Sequence, residues 1–147
     1  MKIWKEIGRL EKGDFQTIQS KVDEVVVPSD VGKLPKKIES CFDGFNADEY
    51  KNWTLLYSMY ALNGLIPKDD LECFRKFVLA CQHLCHRVIT VNDLEVSHNL
   101  LIQFCKKFEI IYGKDRVTPN MHLHCHIKEC VLDFGPIYSF WLFSFER

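Results

Sequence analysis

Apolar residues recur along this chain mostly at helical spacing. Ile3, Trp4, Ile7 and Leu10 fall on one face of a segment from Lys2 to Leu10, which Gly13 is expected to end. Phe15, Ile18 and Val22 carry the next stripe, predicting a helix through Lys21 with Asp14 as its cap. Val25-Val26-Val27 is extended in character and stops at Pro28. Over residues 28–47 the text becomes rich in proline, glycine and turn formers, so a loop is expected, packed by Leu34, Ile38, Phe42 and Phe45.

Asn46 followed by Glu49 reads as a capping box that opens a helix to about Asn63, with Gly64 as the stop. Its apolar residues occupy nearly every face, so it is expected to be central to the core. Pro67 opens a helix from Lys68 to about Arg87, with Leu71, Phe74, Val78, Cys81, Cys85 and Val88 as one stripe. Thr90 or Asn92 caps a further helix to Tyr112, striped by Leu94, Leu101, Phe104, Phe108 and Ile111 and ended by Gly113. The short connection between these two long helices predicts that they lie antiparallel. Thr118-Pro119 starts another helix, Gly135-Pro136 breaks it, and a last helix is expected from Ile137 to Arg147. The expectation is a mainly α fold, a single domain of six or seven helices with one loop-rich segment near residues 28–47.

Composition narrows the classes. A chain of 147 residues that is 47% apolar can bury a core of its own. A net charge of −1 supplies no global attraction to nucleic acid or anionic membrane. No apolar run approaches the roughly 18 residues of a membrane span, and Met1 to Gly13 lacks the apolar core of a signal peptide. A nuclear or cytoplasmic protein is expected. Seven cysteines, an odd number at irregular spacing, point to reduced thiols. Lys33, Lys36 and Lys37 form the one basic cluster of the loop, either a solvated patch or a phosphate contact.

Three chemistries deserve weighing. Cys81 and Cys85 lie four apart, as do His122 and His126, so each pair shares a helical face and the four could hold structural zinc. Cys81 and Cys85 also lie on the apolar stripe, where buried cysteines belong as core, and His83, His86, His124, Cys125 and Cys130 are spare donors. A Cys/His nucleophile has no local signature here and no glycine-rich oxyanion loop. Glu146, after Trp141-Leu142-Phe143-Ser144-Phe145, is an ionisable group beside bulky apolar side chains.

The run TPNMHLHCHIKECVLDFGPIYSFWLFSFER, Thr118 to Arg147, strongly resembles a segment of transposases of the CACTA (En/Spm-like) group. Val27 to Ile38, Asp48 to Ser58 and Cys73 to Thr90 resemble the same proteins in the same order, so the likeness covers roughly Asp14 to Arg147. It implies the helical part that follows an RNase H-like core in cut-and-paste DNA transposition. In that chemistry three carboxylates hold two magnesium or manganese ions that act on a phosphodiester. Glu146 matches the last of those acidic residues, and Cys85, less surely Cys81, with His122 and His126 match the family's paired cysteines and histidines. The two strand-borne aspartates of the family have no counterpart in this sequence, and Arg147 falls inside the motif where family members continue. The expected chain is therefore a catalytically incomplete fragment or relic. DNA would be a partner of the full-length parent and bound weakly or not at all by this chain. The alternative is an interaction or scaffold module for protein or DNA, zinc-stabilised or self-associating.

Overall fold

The computed structural model of the protein describes residues 1–26, 38 and 44–140. Among them the chain is helical, without strands. Seven helices follow one another: α1 (Lys2–Glu6), α2 (Lys12–Asp23), α3 (47–62), α4 (Lys68–Leu84), α5 (Val91–Tyr112), α6 (Pro119–His124) and α7 (Ile127–Phe134). Two compact units divide the chain, Met1–Leu71 and Glu72–Arg147. Leu34, Phe42, the Lys33, Lys36 and Lys37 cluster, Trp141 and Glu146 lie outside the described residues.

In the first unit, α1 is shorter than its apolar spacing suggests. The backbone turns at Gly8, whose φ of 70° suits a residue without Cβ. The Arg9 and Leu10 N–H groups both fold back onto the Trp4 carbonyl. Gly13 does not end a helix but sits in the first turn of α2, which Glu11 caps. Asp14 is the third residue of that helix and completes a reciprocal capping box with Glu11, so it supports the start rather than making it. The predicted stripe of Phe15, Ile18 and Val22 is buried. Val25 and Val26 are not a strand, and Val26 stands in solvent. Ile38 is buried, its N–H donating to Gln19 Oε1 at 2.7 Å.

The helix α3 opens on the predicted box, Asn46 and Glu49 each accepting the other's backbone N–H at 2.9 Å. It is α-helical over Ala47–Asn52, widens to a π-turn over Trp53–Tyr57, and returns to α over Ser58–Leu62. It is not buried all round: Trp53, Tyr57, Ala61 and Leu62 face inward, while Leu56 and Tyr60 are about half exposed. The extra residue of the π-turn re-phases the helix so that one face stays buried through the widening. Helix α2 packs against its last turn, and Lys21 Nζ donates to the Ala61 and Asn63 carbonyls there at 3.3 and 2.9 Å.

The Tyr57 hydroxyl is buried without a hydrogen-bond partner among the described residues. Burying an unpaired hydroxyl costs free energy that its phenyl counterpart does not. Tyr57→Phe is accordingly expected to leave stability unchanged or raise it by about 1 kcal/mol, read from the urea midpoint.

In the second unit, α4 and α5 are antiparallel, as the pairings Cys73 with Phe104, Lys76 with Gln103 and His83 with Asp93 require. The core stripe of α4 matches the predicted one only in part: Val78 is buried, while Leu71, Phe74, Cys81 and Cys85 are half-buried. Cys73, Ala80 and Leu84, with Phe77 beside them, pack toward α5, whereas Val88 is exposed beyond the helix end. Leu94, Leu101 and Phe104 of α5 are buried as predicted. Gly113 ends α5 at φ 88°. Pro119 is the first residue of α6, but the Thr118 hydroxyl makes no cap bond. After a break at Cys125 and His126, α7 runs back along α5. Ile127 and Val131 cover the Ala80, Leu84, Leu94 and Leu101 cluster, and Lys128 Nζ bonds Glu95 Oε1. Gly135 stops α7, and only the short 3-10 turn Ile137–Ser139 of the expected last helix is described.

Candidate functional site

The second unit carries all six histidines and six of the seven cysteines, and the packing of its helices decides which of them meet. In the terminal motif His122 and His126 are brought together, Nε2 to Nε2 at 3.3 Å, although a helix break separates them. Both are exposed, and His126 Nδ1 lies 4.0 Å from Glu129. His124, two residues along and so on the opposite helical face, points inward, its ring 5.5 Å from that of Phe77 on α4. Burial holds the His124 imidazole below its usual pKa, and its Nδ1 has no hydrogen-bond partner among the described residues.

That orientation bears on the zinc set. The face of α6 that meets α4 is that of His124, so His122 and His126 present their rings away from the helix that carries Cys81 and Cys85. Cys81 in the last turn of α4 and Cys85 just past its end are close to each other, both half-buried. The two pairs do not form one group of donors. Among the described residues, the group of three or more ligand-capable side chains is His83, His86 and Asp93, whose donor atoms lie within 4.8 Å of one another.

This group is built by the α4–α5 connection. His83 occupies the last turn of α4 and His86 follows just past its end, the His86 N–H donating to the His83 carbonyl at 3.3 Å. Ile89 packs on the core beneath, and Thr90 caps α5. Asp93, third in the helix, accepts on Oδ2 from the Thr90 N–H at 3.0 Å and from the Thr90 hydroxyl at 2.6 Å. Its other oxygen, Oδ1, meets His83 Nδ1 at 3.1 Å. These bonds, the Thr90 hydroxyl foremost, hold the Asp93 carboxyl down at about 2. Sequence reading names the two histidines only as spare donors and does not reach Asp93. The usable signal is the Thr90 cap, because an antiparallel hairpin sets the third residue of the second helix against the last turn of the first.

A second unforeseen pair is Cys105 and Cys125, whose sulfurs are 3.9 Å apart, with the Met121 carbonyl accepting from both thiols. Burial pushes Cys73 up to about 11 and Cys81 to about 12, and burial together with the neighbouring Cys125 raises Cys105 to about 12. Thiols held protonated are poor nucleophiles. In native protein at pH 8, Cys73, Cys81 and Cys105 are expected to resist iodoacetamide, as peptide mass mapping would read. Burial penalises each thiolate in the fold. The folded state therefore binds more protons than the unfolded one once free thiols ionise, and stability should fall as pH rises above about 9 toward 12.

Comparison with protein-family models, with curated proteins and with solved structures finds no match. No helix among the described residues is long and apolar enough to cross a membrane.

Proposed function

We propose that this chain is a helical segment of a CACTA-type transposase, the part that follows the catalytic core, and that alone it does not cut or join DNA. The run from Thr118 to Arg147 carries this reading, with its paired histidines, Gly-Pro break and Phe145-Glu146-Arg147. Pro119 starts α6, Gly135 turns the chain at φ 86°, and Pro136 leads into the turn that precedes Trp141. In the family's chemistry two divalent ions need three carboxylates, and Glu146 is the one position here that matches. The raised thiols of Cys73, Cys81 and Cys105 disfavour the competing idea of a cysteine nucleophile at those positions.

Zinc on Cys81, Cys85, His122 and His126, which the resemblance implies, would require His122 and His126 to turn toward α4.

The test is plasmid nicking in Mg²⁺ or Mn²⁺. The isolated chain is expected to leave supercoiled DNA intact, and metal-dependent nicking abolished by Glu146→Gln would overturn the non-catalytic part of the reading. A second reading, a protein-contact module, is favoured by the exposure of Ile110, Leu123, Leu132 and Phe134. Absence of a salt-sensitive gel shift, together with self-association in sedimentation, would favour it over DNA binding.

A further inference from the structure

We propose that His83, His86 and Asp93 bind a divalent transition metal of the zinc class at the turn between α4 and α5. This inference is independent of the transposase reading.

Donor chemistry, spacing and support argue for it together. Two imidazoles and one carboxylate suit zinc, copper or nickel and not magnesium, which prefers oxygen. Metal–nitrogen and metal–oxygen bonds of about 2.0–2.2 Å set neighbouring donors of one coordination shell about 3 Å apart. His83 Nδ1 and Asp93 Oδ1 are already 3.1 Å apart. An ion would take the place of the proton between them without moving either backbone. A His–Asp hydrogen bond accounts for those two alone, but not for His86, whose ring centroid lies 5.6 Å from that of His83 with a donor in reach of both partners.

The carboxylate is also held as a metal ligand needs to be held. Thr90 fixes Oδ2 through two bonds and leaves Oδ1 directed at the histidines. Such an outer partner fixes ligand orientation. His83 and Asp93 are partly shielded and His86 is exposed, so the ion would keep an open side for water. Three protein donors with a vacant position is the pattern of an open rather than a closed zinc site. Since His83 and His86 precede the turn and Asp93 follows it, the ion would clamp the hairpin shut.

The full-length chain, stripped with chelator, is titrated with Zn²⁺ by calorimetry and with Co²⁺ by absorption. The expected result is one equivalent bound whose cobalt spectrum shows visible d–d bands without thiolate charge transfer. His86→Ala, at an exposed position, should keep the far-UV circular dichroism and weaken binding by about tenfold or more. His83→Ala is the second ligand variant, expected to behave alike. His122→Ala/His126→Ala and Cys81→Ser/Cys85→Ser should leave that equivalent in place. Unchanged affinity in His86→Ala, loss of binding in either control pair, a thiolate band on the single bound cobalt, or no binding at all would each overturn the proposal.

Discussion

Replacing Arg9 with methionine is expected to destabilise the N-terminal unit by about 3 kcal/mol. The reason is Asp70, a carboxylate in the first turn of α4 whose side chain is 1% exposed. Trp4 Nε1 donates to its Oδ1 at 3.1 Å, and the Arg9 guanidinium bonds its Oδ2. Removing the guanidinium takes a cation away from a buried carboxylate, and the charge compensation lost dominates the cost. Arg9 is itself 32% exposed, so solvent screens part of the attraction and the effect belongs at the low end for buried pairs. Two of the three tryptophans, Trp4 and Trp53, report on this unit, so urea unfolding followed by fluorescence reads it directly. The double variant Arg9→Met/Asp70→Leu should recover part of the loss. An Arg9→Met cost below about 1 kcal/mol would mean that the carboxylate does not depend on the guanidinium.

No periodicity argument reaches that pair, because it joins positions 61 residues apart. What was legible in the sequence was local chemistry. The box of Asn46 with Glu49, the Thr90 cap and the stops at Gly64, Gly113 and Gly135 all appear where side-chain and backbone preferences place them. The stripes of α2 and α5 were legible because their largest apolar side chains recur at helical spacing on one face, Phe15, Ile18 and Val22 in α2 and Leu94, Leu101 and Phe104 in α5. Helix α4 was legible only in part, through the buried Val78, since Leu71, Phe74, Phe77, Val78, Ala80 and Leu84 offer two competing stripes. The partner helix selected Cys73, Phe77, Ala80 and Leu84. The π-turn of α3 leaves no mark in composition, and it lets Leu56 and Tyr60 face solvent on a helix whose text reads as apolar throughout.

The candidate sites divide in the same way. Pairs four residues apart on one segment were readable, and His122 does meet His126. Convergence between segments was not, because it turns on which face of α6 meets α4. His124 takes that face through Phe77, leaving its neighbours outward. The same packing creates the groups that spacing could not suggest, His83 with Asp93 and Cys105 with Cys125.

Leu101→Ala should cost the second unit about 3 kcal/mol. Leu101 is 2% exposed and packs in one cluster with Ala80, Leu84 and Leu94, which Ile127 and Val131 cover. Its neighbour across the helix pair is already an alanine, so little can move in to fill the space, and the cavity term adds to the lost transfer energy. Leu123→Ala, at a position 60% exposed, should change stability by no more than about 0.5 kcal/mol. Thermal unfolding followed by circular dichroism separates the two outcomes. The same variant probes the hairpin turn. A ligand that binds only the folded state restores stability by mass action, so saturating Zn²⁺ should recover part of the Leu101→Ala loss when His86 is present and none of it in Leu101→Ala/His86→Ala. Equal recovery in both would place the stabilising ion elsewhere in the chain.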